Sequence, residues 1–230
     1  ADPGDDPSSR YIELYNTGNE TIDFSTTNFY LHNATVNNSV QLTDSLPAKS
    51  YYIIVNSLST FNSTYGFDAD LESQNIVAGN GNDAYYLSTG NSETSLFDIY
   101  GVISETQTSP VSWDYEDSRA IRDIPTVNLP NSNYTSTEWN VATANAIDMT
   151  PGVNEQDYIY TNDTDAWTLE GLGSDPDGVS ASGKNILVKS GTATLNNTTS
   201  VNRIIVSSDA TLIIEDLLTI DGDFISEGTT

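Results

Sequence analysis

Residues 51–55 read Tyr-Tyr-Ile-Ile-Val, an unbroken run of aromatic and aliphatic side chains. These residue types favour extended backbone, and a short run without polar alternation is typical of a strand that is buried on both faces. The run therefore predicts a central strand with neighbouring strands on either side of it.

Shorter runs of similar composition lie on both sides, separated by Asn, Gly, Asp, Ser and Pro. They occupy residues 11–15, 29–32 and 40–42 on one side, and residues 84–87 and 96–101 on the other. This strand-and-turn pattern, with about seven short strands, predicts a β-sandwich. Only residues 57–65 suggest a helix.

Beyond residue 154 the pattern becomes a repeat. Residues 185–188 (Asn-Ile-Leu-Val) correspond to residues 203–206 (Arg-Ile-Ile-Val), and residues 193–195 (Ala-Thr-Leu) correspond to residues 210–213 (Ala-Thr-Leu-Ile), 17 to 18 positions on. A third copy begins near residue 217. A period of roughly 20 residues predicts a parallel β-solenoid, in which each rung covers the apolar face of the one before. About two and a half rungs are too few to be stable alone. We therefore expect the solenoid to be truncated at the C-terminus.

The charge balance excludes some partners. The chain has 33 acidic and 7 basic side chains, a net charge of −26. Nucleic-acid binding requires a basic face, so we predict none, and an anionic membrane surface is disfavoured for the same reason. No apolar run approaches the ~20 residues that cross a bilayer, so we predict no membrane insertion. The excess of acidic, Thr, Ser and Asn residues suggests an extracellular setting.

Catalytic chemistry has little support in the sequence. His32 is the only histidine and cysteine is absent, so zinc, haem and nucleophile–histidine mechanisms lack their ligands or base. Carboxylates are too numerous for a glycosidase pair to be singled out. We predict that the chain is not an enzyme and requires no cofactor.

Calcium is the one ion that the sequence suggests, because it prefers hard oxygen ligands in turns. The candidate ligands lie in three turns and are Asp175 and Asp177; Asn80, Asn82 and Asp83; and Asp68 and Asp70. None of the turns has EF-hand spacing. The alternative is that these residues are solvated turns with local hydrogen bonds.

Two aromatic residues, Trp113 and Tyr115, lie in a predicted loop. Exposed aromatic rings can stack on sugars, so we predict an exposed ligand-binding patch here. Core packing is the alternative.

Several motifs together resemble the lamin-tail domain of secreted bacterial proteins, an immunoglobulin-like β-sandwich. Residues 10–16 are similar to the family's R-x-I-E-L-Y-N strand, and the further matches are residues 21–25 (x-v-D-L-s), residues 47–54 (l-P-G-x-Y-y-v-i, with Ala48 in place of glycine), and the closing signals at residues 117–120, 138–139 and 150–154 (S-x-R, W and T-P-G-x-N). The resemblance covers about 145 residues. It implies a non-catalytic module.

The sequence departs from that family at its start, because the strand that precedes Ala-Asp-Pro in the family is missing. Uncovered sheet edges are rare. We therefore expect Tyr11, Ile12 and Leu14 to form a strand-exchange edge that takes a strand by β-augmentation, with a homo-oligomer as one outcome.

The resemblance also implies a location. Lamin-tail modules followed by solenoid segments are similar to surface proteins of the Bacteroidetes type, which leave the cell by type IX secretion. Asp44-Ser45-Leu46 resembles their O-glycosylation signal, with Ser45 as the acceptor.

The sequence as a whole predicts an all-β chain: an immunoglobulin-like β-sandwich followed by a short parallel β-solenoid. We place the lamin-tail-like sandwich at residues 1–154, a linker and lead-in to a second domain at 155–184, and partial solenoid repeats at 185–230. The predicted function is a non-enzymatic extracellular adhesin segment or assembly subunit, with other protein subunits or cell-surface glycans as partners. The alternatives are an accessory module of a larger secreted hydrolase or nuclease, and a carbohydrate-binding module.

Overall fold

A computed structural model describes residues 1–4, 6–105, 111–122, 129–141, 149, 151–152, 158–161, 166–168, 176–178, 180–222 and 224–228. These residues are mostly in strands, as predicted, with little helix. The strands are β1 (Tyr11–Tyr15), β2 (Ile22–Asp23), β3 (Tyr30–Asn33), β4 (Asn38–Gln41), β5 (Ser45–Leu46), β6 (Tyr51–Val55), β7 (Leu71–Glu72), β8 (Tyr85–Ser88), β9 (Leu96–Tyr100), β10 (Ala120–Arg122), β11 (Trp139–Val141), β12 (Tyr158–Thr161), β13 (Ala166–Thr168), β14 (Ser180–Val188), β15 (Gly191–Leu195), β16 (Thr199–Val206), β17 (Ala210–Ile214), β18 (Leu218–Ile220) and β19 (Phe224–Ser226). The helix α1 spans Leu58–Tyr65, and short 3-10 turns span Pro7–Ser9, Glu93–Ser95 and Ser136–Glu138.

The central strand predicted at residues 51–55 is confirmed. Strand β6 lies between β1, with which it pairs antiparallel, and β7, with which it pairs parallel. All of its side chains are buried. Its neighbour β1 is in register with it from Tyr11 opposite Val55 to Tyr15 opposite Tyr51.

A second, antiparallel sheet has the order β4-β3-β8-β9. Its residues Leu31, Tyr85 and Tyr100 share one buried cluster with Tyr52 and Ile54 of β6. The two sheets therefore enclose a common apolar core. Burying a side chain of this size stabilises the fold by roughly 1.5–3 kcal/mol, before conformational entropy is counted.

The helix predicted at residues 57–65 is also confirmed. The Ser57 hydroxyl caps it by accepting a hydrogen bond from the Thr60 amide, and Gly66 ends it with a φ of 80°. A Cβ on Gly66 would lie 2.6 Å from the Ser208 amide nitrogen, so the end of α1 lies directly against the C-terminal part of the chain.

The C-terminal part is a parallel β-solenoid, as predicted. Its main sheet has the order β13-β12-β14-β16-β18, β19 also pairs with β16, and a second sheet joins β15 to β17. Ile186 pairs with Ile204 and Ala193 with Leu212, so equivalent positions stack rung on rung. These stacked side chains form an apolar cluster of their own. Strands β12 and β13 lie within the stretch predicted as linker and lead-in.

A third apolar cluster joins the two parts. Ile53 and Val55 of β6 pack with Phe67 against Leu187 and Ile205 of the solenoid. Because successive side chains of a strand point to opposite faces, β6 contributes alternate residues to two different cores. The predicted boundary near residue 154 lies outside the described residues.

Two polar contacts cross the same junction. The Asn202 side-chain amide donates to the Lys49 carbonyl at 2.7 Å and to Asn185 Oδ1 at 3.0 Å. The Gly152 amide donates to the Glu13 carboxylate of β1. Asn202 is 5 % exposed, so its hydrogen bonds satisfy a side chain that is otherwise removed from water.

Candidate strand-binding groove

Strand β1 forms the edge of its sheet, among the residues that the structure describes. The Asn56 amide donates to the Arg10 carbonyl at 3.2 Å, and the Asn16 amide donates to the Ser50 carbonyl at 3.0 Å. Even-numbered residues of this segment therefore bond to β6. It follows that the peptide groups of Glu13 point away from β6, toward the open edge.

One residue already occupies the start of that edge. The Ala1 ammonium donates to the Tyr11 carbonyl at 2.7 Å, and the Tyr11 amide donates to the Ala1 carbonyl at 3.4 Å. Burial lowers the pKa of the Ala1 ammonium to about 6, against the charges of Glu13 and Asp2, which raise it. Ala1 thus lies beside β1 in the position of a paired residue.

Beside the edge lies a cleft of about 320 Å³ between the two sheets. Ile12 and Leu14 of β1 line it and pack against the core that the two sheets share. Most of the other lining side chains are apolar, and they include Phe24, Leu31, Leu42, Leu46, Phe97, Ile99, Leu129 and Trp139. We call this cleft, with the edge of β1, the β1 groove.

Two apolar side chains at the β1 groove are exposed to solvent. Phe97 is 41 % exposed and Leu129 is 71 % exposed. Phe97 belongs to β9, whereas Leu129 precedes the turn that leads to β11. Large exposed apolar residues beside an apolar cleft are characteristic of a binding surface.

The charges at the groove differ from those of the chain as a whole. Arg119 and Arg122 both line it, in a chain with only seven basic residues. Arg122 forms ion pairs with Asp98 at 2.6 Å and Glu138 at 3.0 Å, and its guanidinium lies 4.9 Å from the centre of the Trp139 ring. This part of the surface is therefore much less acidic than the net charge suggests.

Glu13 is the unusual acid of the groove. Burial raises the pKa of its carboxyl to about 7, although the Gly152 amide, the Ala1 ammonium, Arg203 and Arg119 all act to lower it. A carboxyl held there exchanges a proton near neutral pH. Its hydrogen bond from the Gly152 amide joins β1 to the segment that precedes the solenoid strands.

The carboxylates predicted to bind calcium accept hydrogen bonds from protein groups, and they do not point toward a common centre. Asp70 accepts from the Ile53 amide at 2.7 Å and Asp68 from the Asn62 amide group at 2.9 Å. Asp83 accepts from the Asn80 amide at 2.9 Å, with Asn82 between them in the same turn. Among the described residues, no three acidic or histidine side chains come together as a metal site.

Asp177 lies in the solenoid, where its carboxylate accepts from the Asn197 amide at 2.8 Å and from the side chains of Asn196 and Asn197. Partial desolvation acts to raise the pKa of Asp177, but these hydrogen bonds outweigh it and lower the pKa. Asp175 lies outside the described residues. The calcium assignment stays a prediction.

The prediction of an exposed aromatic patch is wrong. Trp113 is 1 % exposed and Tyr115 is 5 % exposed, and both belong to the core between the sheets. Trp113 does lie outside the strands, but its ring packs edge-on against Tyr134 and its carbonyl accepts from the Tyr100 hydroxyl. The loop therefore folds inward, and these rings cannot stack on a sugar.

Two other residues have clear placements. His32 is buried, stacks on Tyr86 with ring centres 4.2 Å apart, and shares a hydrogen bond with the Ser88 hydroxyl at 2.8 Å. Burial lowers the pKa of His32. Ser45 is exposed on β5, opposite Asp23 of β2.

The sequence located one wall of the groove only. Tyr11, Ile12 and Leu14 were predicted to form a strand-exchange edge, and they lie on the edge strand β1. Phe97, Leu129 and Arg122 come from distant segments, and no local pattern marks them as neighbours. The sequence does contain a feature that marks Glu13 as unusual, because it is a charged residue flanked by apolar residues within a predicted strand.

No family model, curated protein or solved structure matches this chain. In the described part of the chain, α1 is far too short to cross a bilayer, and no helix there could do so.

Proposed function

We propose that the chain is a non-enzymatic structural segment of an extracellular surface protein, an adhesin segment or assembly subunit. In this proposal the N-terminal part is a lamin-tail-like immunoglobulin sandwich, which the sequence motifs and the two sheets around one core support. The acidic, lysine-poor composition supports an extracellular location, and the lamin-tail resemblance supports the Bacteroidetes type of surface protein.

The observation that carries the proposal is the β1 groove. An edge strand presents unpaired backbone donors and acceptors, and proteins generally cover such edges. Here the edge adjoins an apolar cleft with Phe97 and Leu129 exposed at it. A strand from a neighbouring protein would cover both at once, and strand addition of this kind joins subunits in extracellular assemblies.

The junction between the sandwich and the solenoid supports the same proposal. The apolar cluster that contains Val55, Phe67 and Ile205 makes the two parts pack as one unit. A segment built in this way holds its binding surface at a fixed position relative to the solenoid, as a structural subunit requires.

The absence of cysteine makes a clean test available, because a single introduced cysteine is the only thiol in the chain. We would compare Leu129→Cys at the groove with Val36→Cys, which is 48 % exposed in the turn between β3 and β4. Maleimide labelling would be measured on the isolated protein and on cells that display it.

We expect both cysteines to react rapidly in the isolated protein. On cells, Leu129→Cys becomes protected while Val36→Cys stays reactive, because only the groove is covered. Equal reactivity of the two on cells would show that the groove is uncovered there and would contradict the proposal.

A further inference from the structure

We propose that a second cleft, between the end of α1 and the solenoid, binds a single neutral sugar residue. Residues 63–67 line it on the α1 side, and residues 187, 189–190 and 207–209 line it on the solenoid side, together with residues 149 and 151. We call it the junction cleft. None of these residues belongs to β1 or to the last strands, β18 and β19. The inference rests on the extracellular surface role proposed above and adds a ligand to it.

The walls of the junction cleft are held in place by the fold. One wall is the last turn of α1, and the other consists of the turns that follow β14 and β16 in two successive rungs. Phe67 packs with Leu187 and Ile205 in the apolar cluster that joins the two parts of the chain. Clefts between two packed structural units are a common location for small-molecule sites.

The observation that points to a ligand is the hydroxyl of Ser207. Its main chain is fully bonded, since its amide donates to the Val188 carbonyl at 3.0 Å and its carbonyl accepts from the Ala210 amide at 2.9 Å. The side chain is 3 % exposed, yet its Oγ has no hydrogen-bond partner. Buried polar groups nearly always have a partner, because an unpartnered one destabilises the fold. Since Ser207 lines the junction cleft, a ligand in the cleft can provide that partner.

The polar groups of the junction cleft suit a ligand with many hydroxyls. Five serine and threonine side chains line it: Ser63, Thr64, Ser190, Ser207 and Ser208. Each hydroxyl both donates and accepts a hydrogen bond, as each hydroxyl of a sugar does. The last carbonyls of a helix have no partner within the helix, so the end of α1 adds further acceptors on its side of the cleft.

The charges of the junction cleft balance each other. Among the described residues that line it, Lys189 and Asp209 are the charged ones, and they have opposite signs. The site therefore lacks the net charge that would favour an anion or a cation, even though the chain as a whole carries a net charge of −26. This balance favours a neutral ligand.

The remaining lining and the volume favour one sugar ring. Phe67, Met149 and Leu187 are buried and give the junction cleft an apolar part, against which the C–H groups of a pyranose ring can pack. The volume is about 180 Å³. That equals roughly six water molecules at ~30 Å³ each and lies below the ~300–1,000 Å³ of pockets for drug-sized ligands. One ring fits this space, and the rest of a glycan would extend into solvent.

The test uses the whole chain and NMR of its backbone amides. The neutral probes are the methyl glycosides of glucose, galactose, mannose and N-acetylglucosamine, and the charged probes are glucuronic acid, glucosamine and alanine. Ser207→Ala removes the hydroxyl that has no protein partner, and Ser63→Trp fills the cleft from an exposed helical position. Ser59→Trp is the matched control, because Ser59 is also exposed, lies one turn earlier in α1 and does not line the cleft.

We expect at least one neutral glycoside to shift the amide signals of Gly66, Ser207 and Ser208, and the charged probes to shift them less. Ser207→Ala should fold normally and weaken binding roughly two- to tenfold, the value of one hydrogen bond. Ser63→Trp should abolish binding, whereas Ser59→Trp should bind the glycoside like the unaltered chain.

Three results would overturn the inference. If no glycoside shifts these signals, the junction cleft holds water only. Tighter binding of a charged probe would show that the site does not select a neutral ligand, and equal binding by Ser63→Trp and Ser59→Trp would place the sugar elsewhere. All three leave the assembly role standing, because that role depends on the β1 groove and is tested separately by the labelling of Leu129→Cys on cells.

Discussion

The Glu13 carboxylate accepts a hydrogen bond from the Gly152 amide, although the two residues are 139 positions apart. Glu13 belongs to the edge strand β1, and Gly152 precedes β12, the first strand of the solenoid sheet, in the sequence. The contact therefore joins the edge strand β1 to the segment that leads into the solenoid. A substitution of either residue is therefore expected to affect both β1 and the segment that leads into the solenoid.

The raised pKa of Glu13, about 7, predicts how stability depends on pH. Between its unfolded value of 4.5 and about 7, the folded protein retains a proton that the unfolded chain has lost. The contribution of Glu13 to the free energy of unfolding is thus fully present below pH 4.5. It is lost as the pH rises through 7, by at most about 1.4 kcal/mol per pH unit. In Glu13→Gln, which keeps an acceptor for Gly152, this fall should vanish.

Denaturant unfolding at pH 5 and pH 7 measures this effect. From pH 5 to pH 7 the free energy of unfolding should shift upward in Glu13→Gln relative to the unaltered chain, because the fall due to Glu13 is removed. His32 and the Ala1 ammonium have lowered pKa values, which make stability rise with pH, and both groups are present in both proteins. Identical pH dependence would mean that Glu13 ionises normally in the folded state.

Gly66 and Gly4 provide a matched pair for the contact between α1 and the solenoid. Both have positive φ, 80° and 70°, so alanine strains either backbone by about 1 kcal/mol. A Cβ on Gly66 also meets the Ser208 amide nitrogen at 2.6 Å, whereas a Cβ on Gly4 has no atom within 4 Å. Gly66→Ala should therefore destabilise the protein clearly more than Gly4→Ala. Equal melting temperatures would show that α1 does not press on the solenoid.

The buried position of Trp113 predicts a large effect on stability. Trp113→Ala should lower the free energy of unfolding by about 3–5 kcal/mol, because it leaves a cavity among Tyr100, Tyr115 and Tyr134. Phe97→Ala, at a position 41 % exposed, should cost well under half as much. If Trp113→Ala unfolds at the denaturant concentration of the unaltered chain, the ring is not part of the core.

Calcium and structural roles of Asp177 can be separated by one comparison. Asp177→Ala removes an acceptor from the Asn197 amide and should cost about 1 kcal/mol. We expect the same loss in melting temperature with calcium and with chelator, since the carboxylate already binds protein donors. A loss that appears only with calcium would make Asp177 a ligand.

Local patterns predicted the elements well. The apolar run at residues 51–55 indicated a strand without a solvent face, and β6 has none. The aliphatic repeat indicated stacked rungs, and Ile186 indeed pairs with Ile204, 18 residues on. In both cases the residue types of one continuous segment indicate which of its side chains are buried. The prediction therefore does not depend on knowing which other segments pack against it.

Contacts between distant segments were not predictable in this way. Nothing near Asn202 indicates that its side chain reaches the Lys49 carbonyl, 153 residues away. The prediction that Trp113 is exposed was wrong for a related reason. A loop rich in polar residues suggests exposure, but the direction of the Trp113 ring depends on Tyr134 and Tyr100, which lie outside the loop. The groove belongs to this class, because its walls come from segments separated by more than a hundred residues.

The two-faced strand β6 has a mechanical consequence. Tension applied between the N-terminal sheets and the solenoid would reach a strand whose alternate side chains pack into two different cores. A slip of a single residue would exchange the contents of both cores simultaneously, so the strand cannot yield by small steps. Such a segment should resist pulling up to a threshold and then give way in one event.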